Sequence, residues 1–266
     1  MLTYESLIEQ AKSREMPSTK IRGILREYLQ ILILKELYKL ESGRRLYFTG
    51  GTYLRLAHNL KRFSEDLDFN TNIIRKGEFE GLLNSISHEL KRTGVDSELE
   101  FAHWGNVYVS KMIFPGIEKA YNAISKHSKK KGIIIKVETY KTKWKIKTQT
   151  EMISGFGEFY PVICTDRGIL FADKIDAVKK KERGRHIYDI MFMLSRKYAV
   201  NEAFLKRLGI RENPFEAISD EIKSFSKDAL KKQAEILRPF LFDESEADLI
   251  VNAHSIIPSL IEKYKK

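Results

Sequence analysis

Apolar residues recur at helical spacing over residues 18–40. They follow one another at intervals of three and four positions and form one wide face, and Ser42 and Gly43 come directly afterwards as a stop signal. The positions of this face are Ile21, Ile24, Leu25, Tyr28, Leu29, Leu32, Ile33, Leu37 and Leu40. The spacing predicts a long amphipathic helix, and a similar pattern predicts another helix over residues 76–93.

Between these helices the pattern changes twice. The run LYFTGG is short, aromatic and apolar, which predicts a strand that ends in the pair Gly50 and Gly51. TYLRLAHNL then returns to helical spacing, and RFSEDLDFN alternates in the manner of a strand. The predicted unit is a strand, a glycine turn, a helix and a second strand.

The rest of the chain divides into a part rich in strands and a helical part. Several strands are predicted between residues 98 and 141, and alternation continues through KTKWKIKTQ, where one face consists of lysines. These lysines either protect an exposed edge strand or contact phosphates. Helical spacing dominates from about Thr165 onward, including one segment around residues 220–237. The predicted parts are an N-terminal helical segment at 1–40, an α+β core at 41–165 and an all-helical C-terminal domain at 166–266.

Composition narrows the class of protein. The chain of 266 residues carries a net charge of +11, which favours polyanionic partners such as nucleic acid or the phosphates of a nucleotide. Cys164 is the only cysteine, which excludes an internal disulfide framework and a cysteine-rich zinc site. The N-terminus lacks the apolar core of a secretory signal, and the most apolar stretch, YLQILILKELY, is too short and too charged to span a bilayer. These features predict a cytoplasmic protein with no membrane partner.

Two acidic residues, Asp66 and Asp68, stand two positions apart within SEDLDFN. In a strand this spacing puts both carboxylates on one face, about 7 Å apart, while Leu67 and Phe69 point into the core. Such a pair repels unless a cation lies between its members, and hard oxygen ligands at this spacing suit Mg²⁺. The alternative is that the two aspartates are helix caps or turn residues after Ser64, since Asp favours both.

The glycine turn is typical of a phosphate site. Gly50 and Gly51 let a phosphate approach the backbone, and the helix that follows offers N–H donors and a positive dipole end. Thr52 either caps this helix or contacts a phosphate oxygen. Glu138, in the run IIIKVETYK, is the candidate for a third carboxylate on a neighbouring strand, with a simple salt bridge as the equal alternative. These residues fit one mechanism, in which a metal binds the carboxylates and a triphosphate binds the turn.

The run YFTGGTYLRLAHNLKRFSEDLDFN resembles the nucleotidyltransferases typified by the AbiEii abortive-infection toxin and the related MenT toxins. The shared pattern is a glycine followed by glycine or serine, a spacer, and then Asp, an apolar residue and Asp or Glu. Gly50 and Gly51 match its start, and Asp66 and Asp68 match its end. The resemblance spans about residues 44–195.

A second signature of that family is similar to FADKIDAVKKKERGRHIYDIMFML. In the family a lysine is followed by an arginine-containing turn and then by an aspartate on a helix. The matching positions are Lys174, Arg183 or Arg185, and Asp189. The resemblance implies that Lys174 neutralises charge on the triphosphate, whereas a lysine-rich helix by itself indicates a solvated face. Asp189 is expected to fix Lys174 or an arginine by hydrogen bonds, either as part of the nucleotide site or with a purely structural role.

The resemblance implies a fold and an activity. The fold is a nucleotidyltransferase-like mixed sheet with flanking helices, and the activity is transfer of a nucleoside monophosphate from an NTP with release of pyrophosphate. Two Mg²⁺ ions would then clamp the attacking and leaving oxygens. Asp66 and Asp68 would bridge both ions, and Glu138 would bind the catalytic ion and accept a proton. Ser64 either contacts the nucleotide or merely starts the strand.

The resemblance also implies partners. The expected acceptor is RNA, such as the 3′ end of tRNA, and the expected role is that of a toxin controlled by a cognate antitoxin. Two other functions stay open. One is nucleotidylation of a protein or small molecule by the same site, and the other is a non-catalytic RNA- or nucleotide-binding module whose affinity depends steeply on salt.

Overall fold

The computed structural model of the chain describes residues 1–124, 132–180 and 183–266. These residues form two compact units. The first unit consists of Met1–Asn59 and Phe63–Thr165, and the second consists of Leu60–Arg62 and Asp166–Lys266. The three-part division at residues 40 and 165 stays a prediction.

A seven-stranded mixed sheet forms the centre of the first unit, in the order β3-β4-β5-β2-β1-β7-β6. The strands are β1 (Tyr47–Thr49), β2 (Leu67–Thr71), β3 (Glu98–Trp104), β4 (Val107–Phe114), β5 (Ile133–Lys141), β6 (Thr148–Gly155) and β7 (Glu158–Thr165). β1 runs parallel to β7 and β2 runs parallel to β5, whereas the other neighbours are antiparallel. The mixed sheet confirms the predicted α+β class.

The helices of the first unit are α1 (Tyr4–Ser13), α2 (Ile21–Lys39), α3 (Gly50–His58), α4 (Lys76–Arg92) and α5 (Ile117–Ala120). The bounds of α2 and α4 confirm the two long helices that the apolar spacing predicts. α2 packs against β5, β6 and β7, and α4 packs against β3 and β4.

Alternation along β5 separates the two faces of the sheet. Ile133, Ile135 and Val137 are fully buried. Their neighbours Lys136 and Glu138 are half-buried, and Tyr140 is exposed. We call the face that carries Lys136, Glu138 and Tyr140 the open face of the sheet.

A buried ion pair joins helices α2 and α3 of the first unit. Arg55 on α3 donates from Nε to Glu27 Oε2 on α2 at 2.8 Å, and both side chains are almost completely buried. Arg14, which follows α1, donates to the other oxygen of Glu27 at 3.1 Å. Breaking a buried pair by removing one partner costs about 3–5 kcal/mol, because the other charge is left uncompensated. Glu27 therefore holds α3, the helix that begins at the glycine pair, in a fixed position on α2.

The strand predicted through KTKWKIKTQ is wrong. Residues 142–147 are irregular, and β6 begins at Thr148. The Asn72 side chain donates hydrogen bonds to Thr142 Oγ1 at 2.7 Å and to the backbone carbonyl of Trp144. Side-chain bonds of this kind give the backbone an alternative to a strand ladder, and they override the alternating pattern here.

The second unit is helical. Its helices are α6 (Arg167–Lys180), α7 (Gly184–Ser195), α8 (Glu202–Arg207), α9 (Pro214–Ser224), α10 (Lys227–Leu237), α11 (Ala247–Val251) and α12 (Ala253–Lys265). The helical segment predicted around residues 220–237 is two helices, because Ser226 accepts a hydrogen bond from the Ala229 N–H and caps a new helix. None of the helices in the described ranges has the length and apolar character that crossing a bilayer requires.

Candidate active site

Three neighbouring strands bring Thr49, Asp68 and Glu138 into one row. Asp68 on β2 is the register partner of Thr49 on β1 and of Glu138 on β5. Neighbouring strands lie about 4.8 Å apart, and register partners point to the same face of a sheet. We call these three residues the carboxylate row. The carboxylates of Asp68 and Glu138 therefore lie side by side on the open face.

Asp66 lies just before β2, which begins at Leu67. The ammonium group of Lys136 lies 2.9 Å from Glu138 Oε2 and 3.8 Å from Asp66 Oδ2. Burial alone would lower the pKa of Lys136, but the hydrogen bond to Glu138 and the charges of Asp66, Glu138 and Asp68 outweigh it, so the pKa lies above its ordinary value. Lys136 therefore stays charged at neutral pH and compensates the carboxylates.

Sequence reasoning missed Lys136, although a signal was present. Lys136 stands two positions before Glu138 in an alternating strand, so its side chain lies on the same face. Glu138 thus has the salt bridge that was one of its two predicted roles. The other role, metal binding, stays a prediction.

The carboxylates suit a hard divalent ion by their chemistry. Within the part of the chain that the structure describes, no three His, Cys, Asp or Glu side chains are gathered to hold a metal ion. Two of the predicted ligands, Asp66 and Glu138, nevertheless converge on one positive charge. In the same described part, the Oγ1 atom of Thr49 is buried without a hydrogen-bond partner at the level of Asp68. Oxygen donors around a cation are what Mg²⁺ requires, and an ion here would compete with the Lys136 ammonium for the same oxygens.

The N-terminus of α3 lies against Asp68. Gly50 is the first residue of α3 and has a φ of +81°. A Cβ atom at this position would overlap the Asp68 carboxylate, so only glycine allows the approach. Gly51, the second residue, is buried. The carboxylate thus lies at the positive end of the α3 dipole, where an anion is stabilised.

Thr52 and Ser64 hold the segment that leads into β2. Thr52 is fully buried, and its hydroxyl donates to the backbone carbonyl of Asp66. The N-cap of α3 is Thr49, so the capping role considered for Thr52 is wrong. Ser64 is half-buried, and its carbonyl accepts a hydrogen bond from Gln30 Nε2 at 3.0 Å. Contact of Thr52 or Ser64 with a nucleotide stays a prediction.

The second unit contains a buried group of three charges. Asp189 on α7 accepts from Lys174 Nζ on α6 at 2.7 Å. It also accepts from Arg62 through Nε and Nη2, both at 2.8 Å. Burial would raise the pKa of Asp189, but the charges and hydrogen bonds of Arg62 and Lys174 hold it below its ordinary value. The carboxylate therefore stays ionised and orients both cations.

The arginine that binds Asp189 is Arg62, and neither Arg183 nor Arg185 makes that contact. Arg183 is the N-cap residue of α7, and Arg185 lies in its first turn. Sequence reasoning missed Arg62, which is 127 positions from Asp189. The available signal was its place directly before the FSEDLDFN run.

His186, on the same helix as Asp189, is buried next to these charges. Among the described residues neither of its ring nitrogens has a hydrogen-bond partner. Burial is the largest influence on the pKa of His186, and the charges of Lys174, Arg185 and Arg62 act in the same direction while that of Asp189 opposes them. Together they lower this pKa to about 3. The imidazole is therefore neutral at physiological pH.

The sequence profile of one protein family matches residues 32–249. That family is described as the nucleotidyl transferase AbiEii toxin of type IV toxin–antitoxin systems, and the match spans most of the chain. The chain belongs to the AbiEii family. Family membership confirms the predicted resemblance and makes this AbiEii protein a nucleotidyltransferase. It also implies an NTP as substrate and an antitoxin as partner.

The fold of this AbiEii protein is similar to that of two solved structures. MenT4, a nucleotidyltransferase toxin of Mycobacterium tuberculosis H37Rv, aligns with a TM-score of 0.59 and 15% identity over 100% of this chain and 92% of the other. JHP933 of Helicobacter pylori aligns with a TM-score of 0.58 and 16% identity over 91% of this chain and 93% of the other. A search of the curated proteins found no match. At these identities the likeness shows the fold alone.

We predict that Gly50→Ala lowers the free energy of unfolding by at least about 1 kcal/mol, because a side chain at positive φ costs about 1–2 kcal/mol and its Cβ would displace Asp68. Gly81→Ala is the matched control, since this exposed residue in α4 has open space around it. The control should gain about 0.5–1 kcal/mol. Urea denaturation measures both values. Wild-type stability for Gly50→Ala would contradict the close approach of α3 to Asp68.

We predict that His186 makes stability depend on pH. Its pKa is about 3 in the folded chain and about 6.5 when unfolded, so the unfolded state takes up the proton first. This contribution to stability is complete above about pH 6.5 and is lost as the pH falls towards 3, at most about 1.4 kcal/mol per unit. His186→Gln should therefore flatten the fall in the free energy of unfolding between pH 6.5 and 5.

Urea denaturation at pH 8, 6.5 and 5 checks the His186 prediction. His88→Gln is the matched control, because the side chain of His88 is 72% exposed. An equal pH slope for wild type and His186→Gln would show that the buried imidazole does not exclude the proton.

Proposed function

We propose that this AbiEii protein transfers a nucleoside monophosphate from an NTP to a hydroxyl of RNA, in a Mg²⁺-dependent reaction at Asp66, Asp68 and Glu138. The observation that carries the proposal is the carboxylate row beside the N-terminus of α3. It brings two carboxylates and a glycine turn together at one place on the sheet. A phosphate bound by the turn would lie next to oxygen ligands for a metal.

The chain's own residues have separate parts in the proposed reaction. The backbone N–H groups of Gly50, Gly51 and Thr52 would bind phosphate oxygens at the positive end of α3. The attacking hydroxyl forms a bond to the α-phosphorus, the bond to the pyrophosphate oxygen breaks, and the hydroxyl proton passes to a base. Glu138 is the proposed base, because its carboxylate lies on the open face and is half-buried.

Asp66, Asp68 and Glu138 would also hold the metal. When bound, Mg²⁺ would supply positive charge that polarises the α-phosphate and stabilises the attacking and leaving oxygens. For Glu138 to serve in this way, the Lys136 ammonium must leave the oxygen that it now contacts. That exchange is inexpensive, because ion pairs this exposed are worth only about 0.2–1 kcal/mol.

Lys174 is the residue that the family resemblance assigns to the triphosphate. Its ammonium is held by Asp189 inside the second unit, so its position is fixed before any substrate arrives. A fixed cation loses little conformational freedom when it binds a phosphate, which favours this role. Ser64 and Asp189 complete the proposed nucleotide-binding residues, Asp189 through Lys174.

RNA is the acceptor that the charge and the family favour. A net charge of +11 attracts a polyanion, and the resemblance names the 3′ end of tRNA as the place of transfer. As a member of a type IV toxin–antitoxin family, the protein would be toxic through this modification until its antitoxin acts.

We predict that Asp66→Asn and Asp68→Asn each reduce transfer by roughly 10²- to 10³-fold or more, because each removes a carboxylate that would hold the Mg²⁺ whose charge stabilises the transition state. The assay incubates purified protein with Mg²⁺, each α-³²P-labelled NTP in turn and total cellular RNA. Label on a tRNA-sized band that both variants lose would support the proposal. Glu65→Gln is the matched control, since Glu65 precedes Asp66 directly but pairs with Arg26 instead.

Other outcomes separate the alternatives. Label on a protein or small molecule would show that this molecule, and not RNA, is the acceptor, and it would leave the assignment of the site unchanged. RNA binding without transfer, equal in wild type and both aspartate variants, would identify a non-catalytic module. Full activity of either variant would contradict the assignment of the carboxylates. The unfolding free energy of each variant, measured in parallel, separates loss of chemistry from loss of the fold.

A further inference from the structure

The open face of the sheet continues beyond the carboxylate row as an aromatic surface. Val107 on β4 is the register partner of Trp104 on β3 and of Tyr140 on β5. We call these three residues the aromatic row. Because register partners share a face, and Tyr140 stands two positions after Glu138, the aromatic row and the carboxylate row lie next to each other on the open face.

Both large side chains of the aromatic row are exposed. Trp104 is 55% exposed and Tyr140 is 44% exposed, although aromatic side chains usually bury most of their area. With Val107 between them, these two exposed rings offer an apolar surface to a ligand. The rings belong to strands that are two spacings apart, about 10 Å, which leaves room for a flat ligand on each.

The distance to the carboxylates fits a ligand that reaches the reaction centre. Tyr140 and Glu138 are two residues apart on β5, about 7 Å along the strand. A chain molecule whose end lies at Glu138 would therefore pass over Tyr140 first and over Trp104 next. An acceptor with several flat units in succession suits this geometry, and a compact metabolite does not.

Exposed lysines follow Tyr140 in the chain, and another lysine lies on the open face of β4. The loop that follows β5 carries the exposed residues Lys143, Lys145 and Lys147. Lys111, which is 55% exposed, lies on the same face of β4 and pairs with Glu100 at 3.6 Å. Together with the net charge of +11, this setting favours a polyanion over an acidic or neutral protein.

We propose that the aromatic row binds the single-stranded end of the RNA acceptor by stacking bases on Trp104 and Tyr140. The inference rests on the proposed function, because it takes the carboxylate row as the place of transfer. Exposed aromatic rings on an open sheet face, with lysines around them, are the usual means by which proteins bind unpaired bases. Base stacking places the last nucleotide over Glu138, and the lysines contact the phosphates that precede it.

The test measures RNA binding without chemistry. The probe is a 12-nucleotide single-stranded RNA with a 5′-fluorescein label, titrated with protein in EDTA and without NTP, and followed by fluorescence anisotropy. Trp104→Ala and Tyr140→Leu should each weaken binding about 5- to 150-fold, the range that corresponds to loss of one stacked base. Phe159→Ala is the matched control. Phe159 is an aromatic residue that is 71% exposed on β7, and the strands β2 and β1 separate β7 from β5. This variant should bind RNA with the affinity of the wild type.

Several results would overturn the inference. One is wild-type affinity for RNA in both Trp104→Ala and Tyr140→Leu. Another is a loss of affinity in Phe159→Ala as large as in those two variants. The third is no binding of RNA by the wild type. A wild-type dimer that Trp104→Ala converts to a monomer in analytical ultracentrifugation would identify the row as a contact between copies of the chain. The substituted side chains are exposed, so thermal unfolding of the variants should match that of the wild type.

A second measurement separates this inference from the proposed function. In the labelling assay the row variants should raise the KM for RNA and leave the KM for NTP unchanged. Transfer to RNA that both variants perform with wild-type kinetics would keep the proposed function and refute the stacking surface. RNA binding that depends on Trp104 and Tyr140, with no transfer from any NTP, would keep the surface and refute the proposed function.

Discussion

The register of β1, β2 and β5 is the constraint on which the candidate site depends. Asp68 faces Thr49 on one side and Glu138 on the other only in this register. A slip of one residue in β2 would turn Asp68 to the helical side and bury a charge among apolar residues. The core therefore specifies the site, because Phe69 and Val137 must face the helices for the carboxylates to face away.

The two units contain carboxylate–cation groups of opposite character. In the first unit the side chains of Lys136, Glu138 and Asp66 are each about one-third exposed. Water therefore screens their ion pairs, and another cation can replace the ammonium. In the second unit Asp189 is fully buried between Lys174 and Arg62, and removing one partner would leave a buried charge unpaired. The first group is built for exchange, and the second is built to hold its members in place. In the proposed reaction the first group would hold an exchangeable metal and the second would supply a fixed cation for phosphate.

Local patterns predicted the long helices and the faces of the strands, since helix and strand periods are written in consecutive residues. Glu138 was predicted on a strand next to that of Asp68, but the pairing of these two residues was not, because register between distant strands is set by the whole sheet. Arg62 was missed for the same reason, since its partner is far along the chain. The loop at residues 142–147 was predicted as a strand because its residues alternate. Hydrogen bonds from the Asn72 side chain compete there with the backbone bonds of a sheet, and the sequence pattern contains no sign of them.

The most direct test of the account is a crystal structure of the protein with Mn²⁺ and a non-hydrolysable NTP, with anomalous difference density measured at the manganese edge. We predict a manganese peak among the carboxylates of Asp66, Asp68 and Glu138, with the Lys136 ammonium moved away from Glu138 and the triphosphate at the N-terminus of α3. A structure with bound nucleotide but no manganese at these carboxylates, and with Lys136 still paired to Glu138, would contradict the account.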